Sequence, residues 1–319
     1  MKSRNFLGVR AVGDKPAART LSAYNLLKGI PAITFLVIVG AVFFVILVQS
    51  GPQLPHILTV LFGKVWDPNT NVFGGLPIII GTLETSFIAL FLAVFFGLGA
   101  SLAIRFLLTE RLRQVAIAVL SLLAGVPSIV YGLWTFLVIG PWMLQNIYPS
   151  LESWPLASVL FGAKFQVVST TILLASLVLA VMIVPTFVSV FSSSLALFPN
   201  DSIEAGQALG ATKWQIIRRV VLPTLRGSFL GATSLSFARA IGETVAIRFV
   251  IGETTNFQFH LLSSGSTIAS YIATQYFDAT GDEDYALFLL ALILMLITVA
   301  FSLVSNRLLE NEKKLLGVK

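Results

Sequence analysis

From Leu76 to Ile104 the chain reads LPIIIGTLETSFIALFLAVFFGLGASLAI, an apolar run interrupted by one charge, Glu84. About 20 such residues, coiled as a helix, cross the hydrocarbon core of a bilayer, and this run exceeds that length. Five further runs flank it: Ile30 to Val48, Val115 to Gly140, Gln166 to Phe191, Gly227 to Ile251 and Tyr285 to Ser305. Four of the six carry no charge, and Gly227 to Ile251 carries Arg239, Glu243 and Arg248. The pattern predicts an all-α, polytopic membrane protein of about six transmembrane helices. Composition agrees, because 56% of the 319 residues are hydrophobic and 11% charged. A soluble domain carries about a quarter of charged residues. The absence of cysteine excludes a disulfide scaffold, a thiolate metal site and a cysteine nucleophile. His56 and His260 stand far apart without a ligand cluster, so no metal site is expected.

Basic residues fall into alternate connections. Lys2, Arg4, Arg10, Lys15, Arg19 and Lys28 precede the first run, and Arg105, Arg111 and Arg113 follow the second. Lys213, Arg218, Arg219 and Arg226 separate the fourth and fifth, and Arg307, Lys313, Lys314 and Lys319 end the chain. The opposite connections hold only Lys64 and Lys164, with Asp67, Glu152, Asp278, Asp282, Glu283 and Asp284. The positive-inside rule therefore predicts cytoplasmic termini. The net charge of +6 is explained by this sorting and needs no nucleic acid. The first run is too long for the apolar part of a signal peptide, and Gln49-Ser50-Gly51-Pro52 does not resemble a cleavage site, so it reads as a retained anchor. The expected organisation is a cytoplasmic segment at 1–28, an anchor helix at 29–52, a core at 75–309 with a cytoplasmic loop at 199–226, and a tail at 310–319. Trp142, Tyr148 and Trp154 fit an interfacial aromatic belt or, equally, local packing.

The loop carries two capping-box patterns, Asp201 with Glu204 and Thr212 with Gln215, separated by Gly210. It predicts two short helices, the second with Trp214, Ile217 and Val221 on one face and Pro223 as its stop. Here a resemblance enters. Glu204-Ala205-Gly206, then Gly210, then Val220-x-Leu222-Pro223 is similar to the EAA loop of ABC-transporter permeases, with Gly206 for an alanine and Val220 for an isoleucine. Leu76-Pro77 with Gly81-Thr82-Leu83, Gly125 to Gly132, Arg239 to Thr244 and Ser266 to Ser270 resemble segments of phosphate-specific transport permeases, of the PstC type more than the PstA type.

The resemblance implies a type I ABC importer permease fold in the bacterial inner membrane, moving inorganic phosphate inward. It implies as partners a homologous PstA-type permease, a cytoplasmic ATPase dimer and a periplasmic or lipid-anchored phosphate-binding protein, within membrane lipid. No Gly-x4-Gly-Lys-Ser/Thr loop occurs, so no cofactor is expected in this chain, and ATP and magnesium belong to the partner ATPase. Glu204, Ala205, Gly206, Gly210, Leu222 and Pro223 take the coupling role. A permease for sulfate or molybdate is the nearest alternative. An ion-coupled secondary transporter is another, though repeated halves are not visible.

Charges inside a span are costly and turn toward a partner or a pathway. Arg239 and Glu243, four apart, are expected on one helical face and close enough to meet. Arg239 offers a planar fork that matches phosphate oxygens, and Glu243 orients it or accepts a proton from a protonated phosphate. The other reading is a buried pair that locks two helices. Glu84 lines the pathway or pairs with Arg239 or Arg248, and Arg248 contacts substrate or snorkels. Pro127 is expected to kink the third span, leaving Ser128 and Tyr131 to line the route or to pack.

Overall fold

The computed structural model describes residues 18–152, 168–255 and 260–315. It falls into two units, residues 1–48 and 49–319. The first holds most of helix α1 (Ala18–Ser50). The second opens with a 3-10 turn (Gly51–His56), α2 (Ile57–Phe62) and a two-stranded hairpin, β1 (Trp66–Asp67) and β2 (Val72–Phe73). The long α3 (Leu76–Phe106) and α4 (Glu110–Gly125) follow, then α5 (Ser128–Trp134), a π turn (Thr135–Ile139), α6 (Gly140–Asn146) and α7 (Tyr148–Glu152). The central α8 (Ile172–Ala196) leads into the loop helices α9 (Asn200–Ala208), α10 (Lys213–Ile216), a π turn (Ile217–Val221) and α11 (Leu222–Thr224). The chain closes with α12 (Arg226–Ile241), α13 (Val245–Val250), α14 (Ile268–Gln275) and α15 (Asp282–Leu315).

Five segments are long and apolar enough to cross a membrane: Gly29–Phe62, Leu76–Phe106, Ser128–Asn146, Ile172–Ala196 and Asp282–Leu308. The remaining run, Gly227 to Ile251, is broken after Ile241 into α12 and α13. Gly242 ends the first helix, and the Glu243 carboxylate accepts a hydrogen bond from the Ala246 N–H (3.2 Å), satisfying a donor at the start of the second.

The run from Val115 to Gly140 is also two helices rather than one kinked span. Pro127 cannot donate to the Leu123 carbonyl four residues back. The Tyr131 hydroxyl donates to that carbonyl instead (2.9 Å), bridging the break between α4 and α5.

Helices in lipid gain little from burying apolar surface against one another, so close packing must hold them. On α3, Thr82, Thr85, Ser86, Ala89, Ala93, Gly97 and Ser101 are buried, a small-residue face turned to α8 and its neighbours. A Cβ at Gly97 would lie 2.6 Å from the Phe187 ring. Phe87, Phe91, Phe95 and Phe96 are exposed along the other side. Further along, the loop before α14 crosses α3 at Gly81, where a Cβ would meet the Ser266 carbonyl oxygen at 2.3 Å. The Ile268 N–H donates to the Thr82 hydroxyl (2.8 Å), and Thr267 and Ser270 close a capping box on α14. Two separated segments, Gly81-Thr82-Leu83 and Ser266 to Ser270, therefore form one contact.

Tyr148 is 1% exposed, with its hydroxyl 2.9 Å from that of Thr171, so it packs locally rather than lining a belt. Trp142 is exposed, and Trp154 lies outside the described residues.

Candidate functional site: the coupling loop and the charged helix break

The loop closes on backbone geometry. Gly210 adopts φ +79°. Its N–H donates to the Gln207 carbonyl (2.9 Å), and the Ala211 N–H donates to that of Gly206 (3.0 Å). These two bonds make a Schellman end to α9, which requires the left-handed region at Gly210. The second capping box is present. Thr212 accepts from the Gln215 N–H (3.3 Å), and the Gln215 side chain accepts from the Thr212 N–H (2.8 Å).

The first box is not formed, because α9 begins one residue before Asp201 and has Pro199 at its N-cap. Asp201 lies in the first turn, where its charge complements the helix dipole. Pro223 does not stop the second helix either. The π turn at Ile217–Val221 precedes α11, and Pro223 sits in the first turn of that helix, where a missing N–H is tolerated.

Ile216 and Val221 anchor the loop in a cluster with Phe187, Phe191, Leu195 and Ala232, against which Leu222 packs. Ile217 is buried and Trp214 exposed, so the expected Trp214 face divides between core and surface. Gly206 sits so near Ile216 that a Cβ would approach its side chain to 3.0 Å, which gives its departure from alanine a packing reason. Glu204, Ala205, Gly210, Leu209 and Trp214 are exposed together on this loop. The loop presents a polar and apolar surface on a stiffened backbone.

The charged residues of the broken run lie elsewhere. Arg239 is exposed, makes no hydrogen bond or ion pair among the described residues, and is within electrostatic reach of Tyr131. The expected Arg239–Glu243 pair is absent, because the helix ends between them and Glu243 turns to cap α13. Glu84 forms no ion pair with Arg239 or Arg248 among the described residues. Ser128 is the first residue of α5, and a Cβ at Gly132 would lie 2.9 Å from the Ala246 Cα, so α5 and α13 touch. Tyr131, Arg239 and Glu243 thus gather around the break. Glu84, half-buried on α3, is not tied to them by any contact among the described residues.

Sequence reasoning missed Glu253. It stands at φ +38° beyond α13, accepts a hydrogen bond from the Thr274 hydroxyl and lies 3.9 Å from the Arg248 Nε. Arg248 is therefore paired. The signal was present, since Ile-Gly-Glu-Thr occurs at Ile241 to Thr244 and again at Ile251 to Thr254, bracketing α13. At the hairpin, hydrogen bonds from the Thr70 hydroxyl and the Asn69 N–H hold the Asp67 carboxyl below its ordinary range. The Trp66 indole stacks edge-on against Phe73 and Tyr271 and donates to Glu283 (3.4 Å), fastening the hairpin to α14 and α15.

Comparison with known proteins adds kinship. The family described as "Binding-protein-dependent transport system inner membrane component" matches residues 93–314. A relative from Pasteurella multocida (strain Pm70), named Phosphate transport system permease protein PstC, is 36% identical over 264 residues, covering 81% of this chain and 82% of its own. A protein of the same name from Xylella fastidiosa (strain 9a5c) is 36% identical over 256 residues, covering 78% and 77%. Among solved structures, an inward-facing MetNI methionine ABC transporter chain superposes with a TM-score of 0.55 at 16% identity, over 78% of this chain and 99% of that one. That likeness is one of fold.

Proposed function

Because the chain belongs to the family of binding-protein-dependent transport system inner membrane components, a multi-pass permease family, we propose that it is the permease subunit of an ATP-driven importer of inorganic phosphate. Hydrolysis falls to a cytoplasmic ATPase dimer, which docks on the exposed surface of Glu204, Ala205 and Gly210. Gly206, Leu222 and Pro223 shape that surface from beneath. A PstA-type permease completes the pathway, and an external phosphate-binding protein delivers the ion.

The observation that carries the pathway assignment is an arginine without an acidic partner. A guanidinium left unpaired beside a helix break is costly in a membrane unless a transient anion uses it. Arg239 meets that description among the described residues, with Tyr131 in reach and Glu243 committed to a backbone cap. Phosphate oxygens accept two parallel bonds from such a fork. Each passing ion then meets a single exposed contact rather than a trap. Ser128, three residues before Tyr131 at the start of α5, and Glu84, from the α3 side, line the same route on this reading.

The test is ATP hydrolysis by the complex in liposomes. Phosphate-loaded binding protein should stimulate hydrolysis, and sulfate or molybdate should not. Equal stimulation by sulfate would reassign the substrate, and failure of any ATP-hydrolysing subunit to co-purify would reject an ATP-driven importer.

A further inference from the structure

Between α3, α4 and α8, at the end of the bundle that carries the Asn200 loop, lies a cavity of about 410 Å³. Its charged lining comes from Arg105 and Arg113. Arg113 is held in place, its Nε donating to the Ile104 carbonyl (3.0 Å) and its Nη1 meeting Glu110 (3.0 Å). Arg105 is half used. Its Nη2 donates to the Asn200 side chain (2.7 Å), while its Nε is shielded from solvent and has no hydrogen-bond partner. On the α8 side, the Ser192 hydroxyl is equally shielded and equally without a partner.

Buried polar groups are nearly always satisfied, so two orphans on one cavity call for an explanation. Both can donate. An oxygen acceptor in the cavity satisfies both once each side chain turns toward it, and the guanidinium charge favours an anionic one. Ser121 and Ser189 add two more hydroxyls to the lining. The remaining walls are apolar, with Ile117 and Leu120 from α4 and Pro185 and Val188 from α8. A small free anion gains nothing from such walls, whereas a lipid's acyl chain packs against them as it does against its neighbours in the bilayer, at little cost. Basic pockets between membrane helices suit lipid headgroups for this reason.

We propose that this cavity binds a phosphate group, and that its carrier is an anionic phospholipid whose acyl chain lies along the apolar walls. Arg105 and Ser192 take the phosphate oxygens, and the Arg105–Asn200 bond ties the lipid to the first residue of α9. The inference stands on the cavity alone and does not depend on what the protein transports.

Native mass spectrometry of the full chain, with the subunits that co-purify with it, reads bound lipid directly. Phosphatidylglycerol is the probe, offered with and without excess inorganic phosphate. The parent should retain one phosphatidylglycerol per chain that phosphate does not displace. Arg105→Gln should lower retention at least about tenfold, as loss of a charge-assisted bond does. Ser192→Leu fills the cavity from α8 and leaves the Arg105–Asn200 bond intact, so it should do the same even if Arg105→Gln assembles poorly. Displacement by inorganic phosphate would keep the phosphate site and assign it to the free ion. Undiminished retention in the Ser192→Leu complex would overturn the proposal.

Discussion

At Gly210 a single backbone angle, φ +79°, decides how the loop closes. A Cβ there meets nothing within 4 Å, so any penalty for substitution is conformational rather than steric. Valine pays about 1–2 kcal/mol in the left-handed region, while asparagine tolerates it. Gly210→Val should therefore insert normally but bind less ATPase, and Gly210→Asn should bind nearly as the parent does. Quantifying co-purified ATPase checks both; equal binding by the valine variant would remove the loop from coupling. Arg239 yields a prediction of another kind. Arg239→Lys keeps the charge and loses the fork, so uptake should fall roughly tenfold or more at matched abundance. Because Glu243 caps α13 and does not pair with Arg239, adding Glu243→Gln to Arg239→Gln should not restore uptake. Recovery to the parent rate would show that the two charges act as a structural pair.

Element by element, the sequence revealed lengths and periods better than interruptions. Runs such as Leu76 to Ile104 announce their helices because nothing but lipid suits 29 nearly uncharged residues. The break at Gly242 was hidden, because an arginine and a glutamate four apart read as one helical face. What overrode that reading is local, a glycine followed by a side chain able to cap the next helix. Pro223 misled for the opposite reason, since a π turn ahead of it lets the chain continue helical. Of the candidate site, Gly210 and the Thr212 box were legible from residue chemistry. At Glu253 only the repeated Ile-Gly-Glu-Thr was legible, since its hydrogen bond depends on Thr274, twenty-one residues away. The joint between α3 and α14 allows a further test. Thr82→Val keeps shape but removes the acceptor of the buried Ile268 N–H, and should cost about 1–3 kcal/mol. A thermal-unfolding midpoint unchanged from the parent would show that the joint contributes nothing.

For the whole molecule, the distribution of basic residues predicts that the termini and the Glu204 loop face the cytoplasm. The chain has no cysteine, so single replacements report cleanly. Ser202 and Thr280 are both exposed, and Thr280 avoids the strain that a side chain would meet at Gly281, where φ is +64°. An impermeant thiol reagent applied to intact cells should label Thr280→Cys and spare Ser202→Cys; the reverse pattern would invert the topology. Phosphate import driven by ATP is tested most directly by radiolabelled phosphate uptake into vesicles containing the assembled complex. Uptake should depend on ATP, be suppressed by unlabelled phosphate and be unchanged by excess sulfate or molybdate. Uptake that persists without ATP, or that sulfate or molybdate suppresses as well as phosphate does, would contradict ATP-driven phosphate import.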